Sequence, residues 1–134
     1  MAVTITPSLR TALQLDAAAS GAMALLGIGA APVLSPLLGL PQPLLFWAGI
    51  ALLPWVALLI GLARHDAAPR LLVVDVIALN ALWVAASLGL LASGFVAPTL
   101  LGMVFVVAQA LAVAAFAVLQ LVALRRAAGV AATA

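Results

Sequence analysis

Long apolar runs, separated by short polar or proline-rich segments, make up most of this sequence. Four runs extend over about residues 9–31, 44–63, 70–91 and 99–124. A helix needs roughly 20 apolar residues to cross the hydrocarbon core of a bilayer, and each run reaches that length. The pattern therefore predicts an all-α integral membrane protein, a four-helix transmembrane bundle that forms a single domain over residues 1–134.

Prolines, glycines and a capping residue predict where the helices begin and end. Ser8 is the predicted N-cap of the first helix, because its hydroxyl can accept a bond from an N–H of the first turn. Residues 32–43 contain four prolines and are predicted to connect the first two spans, with one interfacial helical turn in "SPLLGL". Gly94 is the predicted end of the third helix.

The composition narrows the class of protein further. Hydrophobic residues make up 69% of the chain and charged residues 6%, whereas soluble domains have about 25% charged residues. The absence of cysteine excludes disulfides, thiolate zinc sites and iron–sulfur clusters. With one histidine and scattered arginines, we expect no metal, no cofactor and no nucleic-acid partner.

The positions of the arginines predict the orientation of the bundle. All five lie before the first run, between the second and third, or after the fourth, while residues 32–43 and 92–98 carry no charge. Basic residues remain on the cytoplasmic side, so both termini are predicted inside, in a bacterial inner membrane. The alternative is that the first run is a cleaved signal peptide, but Asp16 within that run disfavours it.

Three polar side chains are expected in the cytoplasmic third of the bundle. Counted from the nearest arginine at 1.5 Å per residue, their depths are about 7–9 Å; they are Asp16, Asp75 and Gln120. Together with Arg70 they are hypothesised to supply charge at an inner mouth. The alternative is that each aspartate pairs with a neighbouring arginine, Arg10 or Arg70, or reaches towards the interface.

A second polar layer is expected deeper in the bundle. Ser20, Asn80 and Gln109 each lie ten residues from a helix edge, which corresponds to about 15 Å. We hypothesise that Asn80 and Gln109 hold a ligand contact there, with Trp83 and Phe105 shaping it. The alternative is that these side chains only form interhelical hydrogen bonds.

Two further patterns indicate which helix faces point inward. On the fourth helix, helical spacing aligns Gly102, Phe105, Gln109, Val113, Phe116 and Gln120, and this stripe is predicted to face the interior or a partner. Small residues at four-residue spacing favour close helix packing; they are Ala17 and Gly21 on the first helix and Ala81, Ala85 and Gly89 on the third.

Five segments carry a resemblance to a known group of proteins. They are "LQLDAAASG", "LLGLP", "ALNALWVAASL", "APTLLG" and "AFAVLQLVALRR". In these segments the chain resembles small four-span bacterial integral membrane proteins of unknown function. The resemblance implies a four-span fold and no activity.

The functional prediction is a non-enzymatic membrane protein. Its inward polar face is expected to bind a small or lipidic ligand or a partner span, because the chain has no phosphate-binding loop, catalytic triad or zinc-protease motif. Alternatives are a subunit of an oligomeric transporter or channel and a structural or assembly protein. The expected partners are membrane lipid and a homo-oligomer or a partner membrane protein.

Overall fold

The computed structural model describes residues 1–133, with side chains to residue 129; Ala134, the last residue of the predicted domain, lies outside the described residues. In chain order the elements are β1 (Ala2–Thr4), α1 (Pro7–Gly29), α2 (Ala31–Leu38), α3 (Gln42–Arg64), β2 (Ala67–Pro69), α4 (Arg70–Ser93) and α5 (Leu100–Thr133). The helices α1, α3, α4 and α5 are long and apolar enough to cross a membrane. The predicted all-α class is confirmed, and these four helices indicate a multi-pass membrane protein.

The helix ends follow capping chemistry, with one difference from the prediction. Thr6, not Ser8, is the N-cap of α1, and its hydroxyl accepts a bond from the N–H of Leu9 at 3.3 Å. Pro7 then occupies the first helical position, where its fixed φ suits the helix and no N–H is needed. Gly94 ends α4 with a φ of 78°, as predicted, because glycine adopts the left-handed conformation without strain.

Two helices are longer than predicted. The segment between α1 and α3 forms the eight-residue helix α2 rather than one turn, and α2 ends at Gly39 with a φ of 67°. Helix α5 continues nine residues past Leu124, to Thr133. The extension is rich in alanine, the strongest helix former, and Ala127 within it packs into the core with 5% exposure.

A small antiparallel sheet at one end of the bundle was not predicted. Strand β1 pairs with β2, and Val3 lies opposite Ala68. The sequence carried a signal for it, since buried Val3 and Ile5 alternate with exposed or half-buried neighbours, as in a half-buried strand. The connection between α3 and α4 is therefore paired with the N-terminal strand, and Arg10 forms an ion pair with Asp66 of this connection at 3.3 Å.

The four long helices do not pack equally against one another. Helix α1 packs along α3, α5 packs along α4, and α1 also contacts α5, whereas α3 and α4 make few direct contacts. Near the sheet all four contribute to one core, whose buried members include Leu13, Leu59, Val76 and Leu124. A second core, around Leu38 and its neighbours, closes the opposite end. Between the two cores α3 and α4 leave a gap.

Glycines set the close approach of α1 and α3. A Cβ on Gly27 would stand 2.5 Å from the carbonyl oxygen of Leu45, and one on Gly49 would stand 2.9 Å from that of Ala24. These are backbone contacts that a side chain would force apart. The small-residue pair predicted on α1, Ala17 and Gly21, does not form this close contact, because a Cβ at Gly21 would meet open space.

The predicted small-residue series on α4 is likewise not a packing face within the chain. Ala81, Ala85 and Gly89 are all exposed, and a Cβ on Gly89 would meet nothing within 4 Å. Spacing alone therefore picked out an exposed face of α4, whereas on α1 it picked out one buried residue, Ala17, and one position that faces open space, Gly21.

The α1–α3 contact makes a prediction about two glycines on one helix. Gly49→Ala is expected to lower the free energy of unfolding by about 1–3 kcal/mol, because the added methyl overpacks backbone against backbone. Gly61→Ala on the same helix meets nothing within 4 Å and is expected to be neutral or slightly stabilising. Thermal unfolding in mild detergent compares the two, and equal losses would contradict the packing described here.

Candidate functional site

Four buried polar side chains meet where α1, α4 and α5 come together. One carboxylate oxygen of Asp16, Oδ2, accepts a bond from the Asn80 amide at 2.7 Å and from the Gln120 amide at 2.8 Å. The other, Oδ1, accepts from the Ser20 hydroxyl at 3.1 Å. Asn80 also donates to Gln120 Oε1 at 3.0 Å. We call Asp16, Ser20, Asn80 and Gln120 the Asp16 cluster.

The carboxylate at the centre of this cluster is held by neutral groups alone. Asp16 is 0% exposed, and its two oxygens make three hydrogen bonds, to Ser20, Asn80 and Gln120. Within residues 1–129, the one ion pair joins Arg10 to Asp66, at the sheet. Burial of a charge is costly unless hydrogen bonds or a counter-charge offset it; here the three donors supply the hydrogen bonds and no cation is present.

A cleft of about 550 Å³ lies beside the cluster, in the gap between α3 and α4. Helices α1 and α5 form its floor. The lining is mostly alanine and larger apolar residues. Its aromatic residues are Trp55, Trp83 and Phe116, and its polar residues are Ser20, Asn80 and Gln109. A cleft of this size, largely apolar with a few polar groups, is typical of a small-molecule site.

Most of the hydrogen-bond donors that α1, α4 and α5 place on the cleft wall are engaged within the protein. Trp83 Nε1 donates to Gln109 Oε1 at 2.8 Å, and Gln109 Nε2 donates to the carbonyl oxygen of Val106 at 2.9 Å. Asn80 Nδ2 donates twice, to Asp16 and to Gln120.

An acceptor on the same wall is open to the cleft. In the described part of the chain, no buried side-chain nitrogen or oxygen lacks a hydrogen-bond partner. Asn80 Oδ1 accepts no hydrogen bond from the protein, since both bonds of this side chain are made by its nitrogen. It must therefore be an atom that the cleft reaches. The cleft therefore offers one free acceptor, while two donors of lining residues, the indole N–H of Trp55 and the second N–H of the Gln109 amide, make no hydrogen bond within the described residues.

The predicted inner layer is only partly correct. Asp16 and Gln120 do meet, but Asp75 is exposed on the outer side of α4 and does not join them. Arg70 is exposed too, and its backbone N–H donates to the carbonyl of Met1 in the sheet region. The alternative pairing of the aspartates with Arg10 and Arg70 is also wrong for both.

The predicted middle layer divides between two sites. Asn80 and Ser20 belong to the Asp16 cluster, whereas Gln109 bonds Trp83, so Asn80 and Gln109 are not partners. Phe105 does not line the cleft; it packs against the second core, beside Leu38.

The inward stripe on α5 is confirmed, since none of its six residues is exposed. Two cleft residues of aromatic type were not among the predicted site residues, Trp55 and Phe116. For Phe116 a signal was present, because it lies seven residues after Gln109 and hence on the same helix face. For Trp55 the signal was its depth within the second span, which is typical of a core or pocket-lining residue.

Comparisons with known proteins add no relative from which a site could be transferred. Searches against protein-family models, curated proteins and solved structures found no match for this chain. The chemistry of the Asp16 cluster and the cleft is therefore drawn from the chain's own geometry.

The two polar contacts that α4 makes with its neighbours, at Asn80 and at Trp83, are expected to contribute unequally to the free energy of unfolding. Asn80→Leu removes a donor from a buried carboxylate and is expected to lower the free energy of unfolding by about 2 kcal/mol. Gln109→Leu leaves only the half-buried indole N–H without a partner and should cost less than about 1 kcal/mol. Chemical unfolding in detergent ranks the variants. A larger loss for Gln109→Leu would show that the Asp16 cluster does not hold the helices together.

Proposed function

We propose that this chain is a non-enzymatic, multi-pass protein of a bacterial inner membrane that binds a small or lipidic, largely apolar molecule in the cleft between α3 and α4. One observation carries the proposal: a drug-sized cleft with an apolar lining meets a polar wall at the Asp16 cluster. Such a site suits a molecule with an apolar body and one polar end.

The position of the cleft supports a ligand that arrives through the membrane. The gap lies between two candidate spans that barely touch, and Leu79 and Leu82 on its rim are 48% and 62% exposed. In a bilayer this opening faces the acyl chains. An apolar molecule can enter sideways without crossing water, and it fills a space whose lining atoms otherwise lack contacts on one side.

The charge distribution supports an orientation with both termini in the cytoplasm. Every arginine of the sequence lies in a helix at the sheet end of the bundle, and the connections at the opposite end hold none. Under the rule that basic loops stay inside, the sheet and the inner ends of all four spans are cytoplasmic.

A second proposal is that the chain is a subunit of an oligomeric transporter or channel, and one observation favours it. Asp75 is exposed on α4 and has no ion-pair partner among the described residues. A carboxylate on a lipid-facing surface is costly, and a neighbouring subunit would cover it. Native mass spectrometry of the protein extracted with its lipids gives the subunit number and any retained molecule together.

Filling the cleft tests the ligand proposal. Ala86 lines the cleft and the adjacent Ala85 does not, so Ala86→Phe and Ala85→Phe form a matched pair on one helix. Ala86→Phe is expected to weaken retention of a bound molecule about tenfold or more, since the ring takes its space. Native mass spectrometry measures the bound fraction.

The Ala85→Phe control shows whether a loss of retention is specific to the cleft. Ala85→Phe adds the same bulk to an exposed position and should retain the molecule as the unaltered chain does. Equal retention by both variants would rule out the cleft as the binding site.

The orientation is tested by reporter fusions. Alkaline phosphatase fused after Gly94 is expected to be active, because that loop should lie outside the cytoplasm, and a fusion after Arg126 should be inactive. A fluorescent protein fused after Arg126 should give the reverse. Phosphatase activity after Arg126 would refute the proposed topology.

A further inference from the structure

The buried carboxylate beside the cleft lacks a counter-charge. Asp16 accepts three hydrogen bonds from neutral side chains, and the one ion pair of residues 1–129 lies elsewhere. In an apolar interior a charge acts over a longer range than in water, because little solvent screens it. An ionised Asp16 therefore places a negative potential on the wall that Ser20 and Asn80 form between it and the cleft.

The hydrogen-bonding capacity of that wall has the same preference. Asn80 Oδ1 is a free acceptor, and the Ser20 oxygen retains lone pairs after donating to Asp16. The nitrogen donors of Asn80 and Trp83 are engaged within the protein, and Gln109 uses one of its two N–H groups on the carbonyl oxygen of Val106. Beside Ser20 and Asn80, a ligand head that accepts hydrogen bonds, such as a phosphate or carboxylate, would find no free donor and would meet the field of Asp16.

Aromatic rings complete the environment. Trp55, Trp83 and Phe116 line the cleft, and aromatic rings attract cations, the more so where water is excluded. Because the Trp83 N–H is held by Gln109, what Trp83 offers a ligand is its ring. Negative potential, free acceptors and aromatic rings all favour the same kind of head group.

We propose that the cleft selects an amphiphilic organic cation: an apolar chain or ring system that ends in an ammonium group. The ammonium donates to Asn80 Oδ1 and Ser20 Oγ, Asp16 behind them supplies the counter-charge, and the apolar part lies between α3 and α4. This inference rests on the proposed function, that the cleft binds a ligand, and adds the charge of that ligand.

Three probes with the same chain separate charge from hydrophobicity. Dodecylamine is cationic, dodecanol neutral and dodecyl phosphate anionic near neutral pH. Each is titrated into the protein in nanodiscs of phosphatidylcholine, and the fluorescence of Trp55 and Trp83 is followed against the mole fraction of probe in the bilayer. A Trp47→Phe background removes the third tryptophan, which is 63% exposed and outside the cleft lining.

The expected result is a charge preference that depends on Asp16. Dodecylamine should reach half-saturation at a mole fraction about tenfold lower than dodecanol, with dodecyl phosphate weakest. Asp16→Asn keeps the shape and should reduce the amine's advantage to about twofold or less. Asp75→Asn removes the exposed carboxylate instead and should leave the preference unchanged, which excludes a general effect of net charge.

Each other outcome decides a separate question. Saturable binding of amine and alcohol with equal strength, or a preference that survives Asp16→Asn, overturns the cation inference while the ligand proposal stands. Failure of all three probes to saturate overturns both. Dodecanol binding by Asp16→Asn shows that this variant folds. If it does not fold, Ala86→Phe decides: an amine preference that persists with the cleft filled belongs to the bilayer surface and refutes the inference.

Discussion

The structure depends on the burial of one carboxylate among apolar helices. Asp16 has no exposed surface, and in an apolar bundle it must be given hydrogen-bond donors or it would disfavour folding. The donors come from α4 and α5 as well as from its own helix. Because hydrogen bonds require close distances and defined directions, this one residue fixes how α1, α4 and α5 are rotated about their axes.

Helix α3 is held in a different way, and the cleft results from the difference. It packs on α1 through backbone contacts at Gly27 and Gly49, and it contributes no side chain to the Asp16 cluster. Nothing polar draws it towards α4. The two helices meet only through the core near the sheet, so a gap remains between them above it. Asn80, on the α4 side of that gap, belongs both to the cluster and to the cleft wall.

Hydropathy predicted the spans and helical spacing predicted the inward face of α5, but neither could predict partners. Depth was counted from the nearest arginine, yet these arginines are not at one level. Arg70 begins α4 beside the sheet, whereas α5 runs on well past Arg125. Asn80 and Gln120 therefore meet, although they lie ten and five residues from the arginines used to estimate their depths. Asp75, five residues before Asn80, points about 140° away from it, which depth alone does not reveal.

The abundance of alanine explains why the cleft could not be predicted from the sequence. Small residues allow close helix packing, but where no backbone approaches them they leave space instead. Alanines on all four long helices line the cleft, Ala22, Ala51, Ala86 and Ala112 among them, while Ala24 is buried where α1 and α3 pack closely at Gly49. The same type of side chain thus allows close helix packing at one position and lines a cavity at another. What decides between them is whether a neighbouring helix packs against that position, which depends on side chains distant in the sequence.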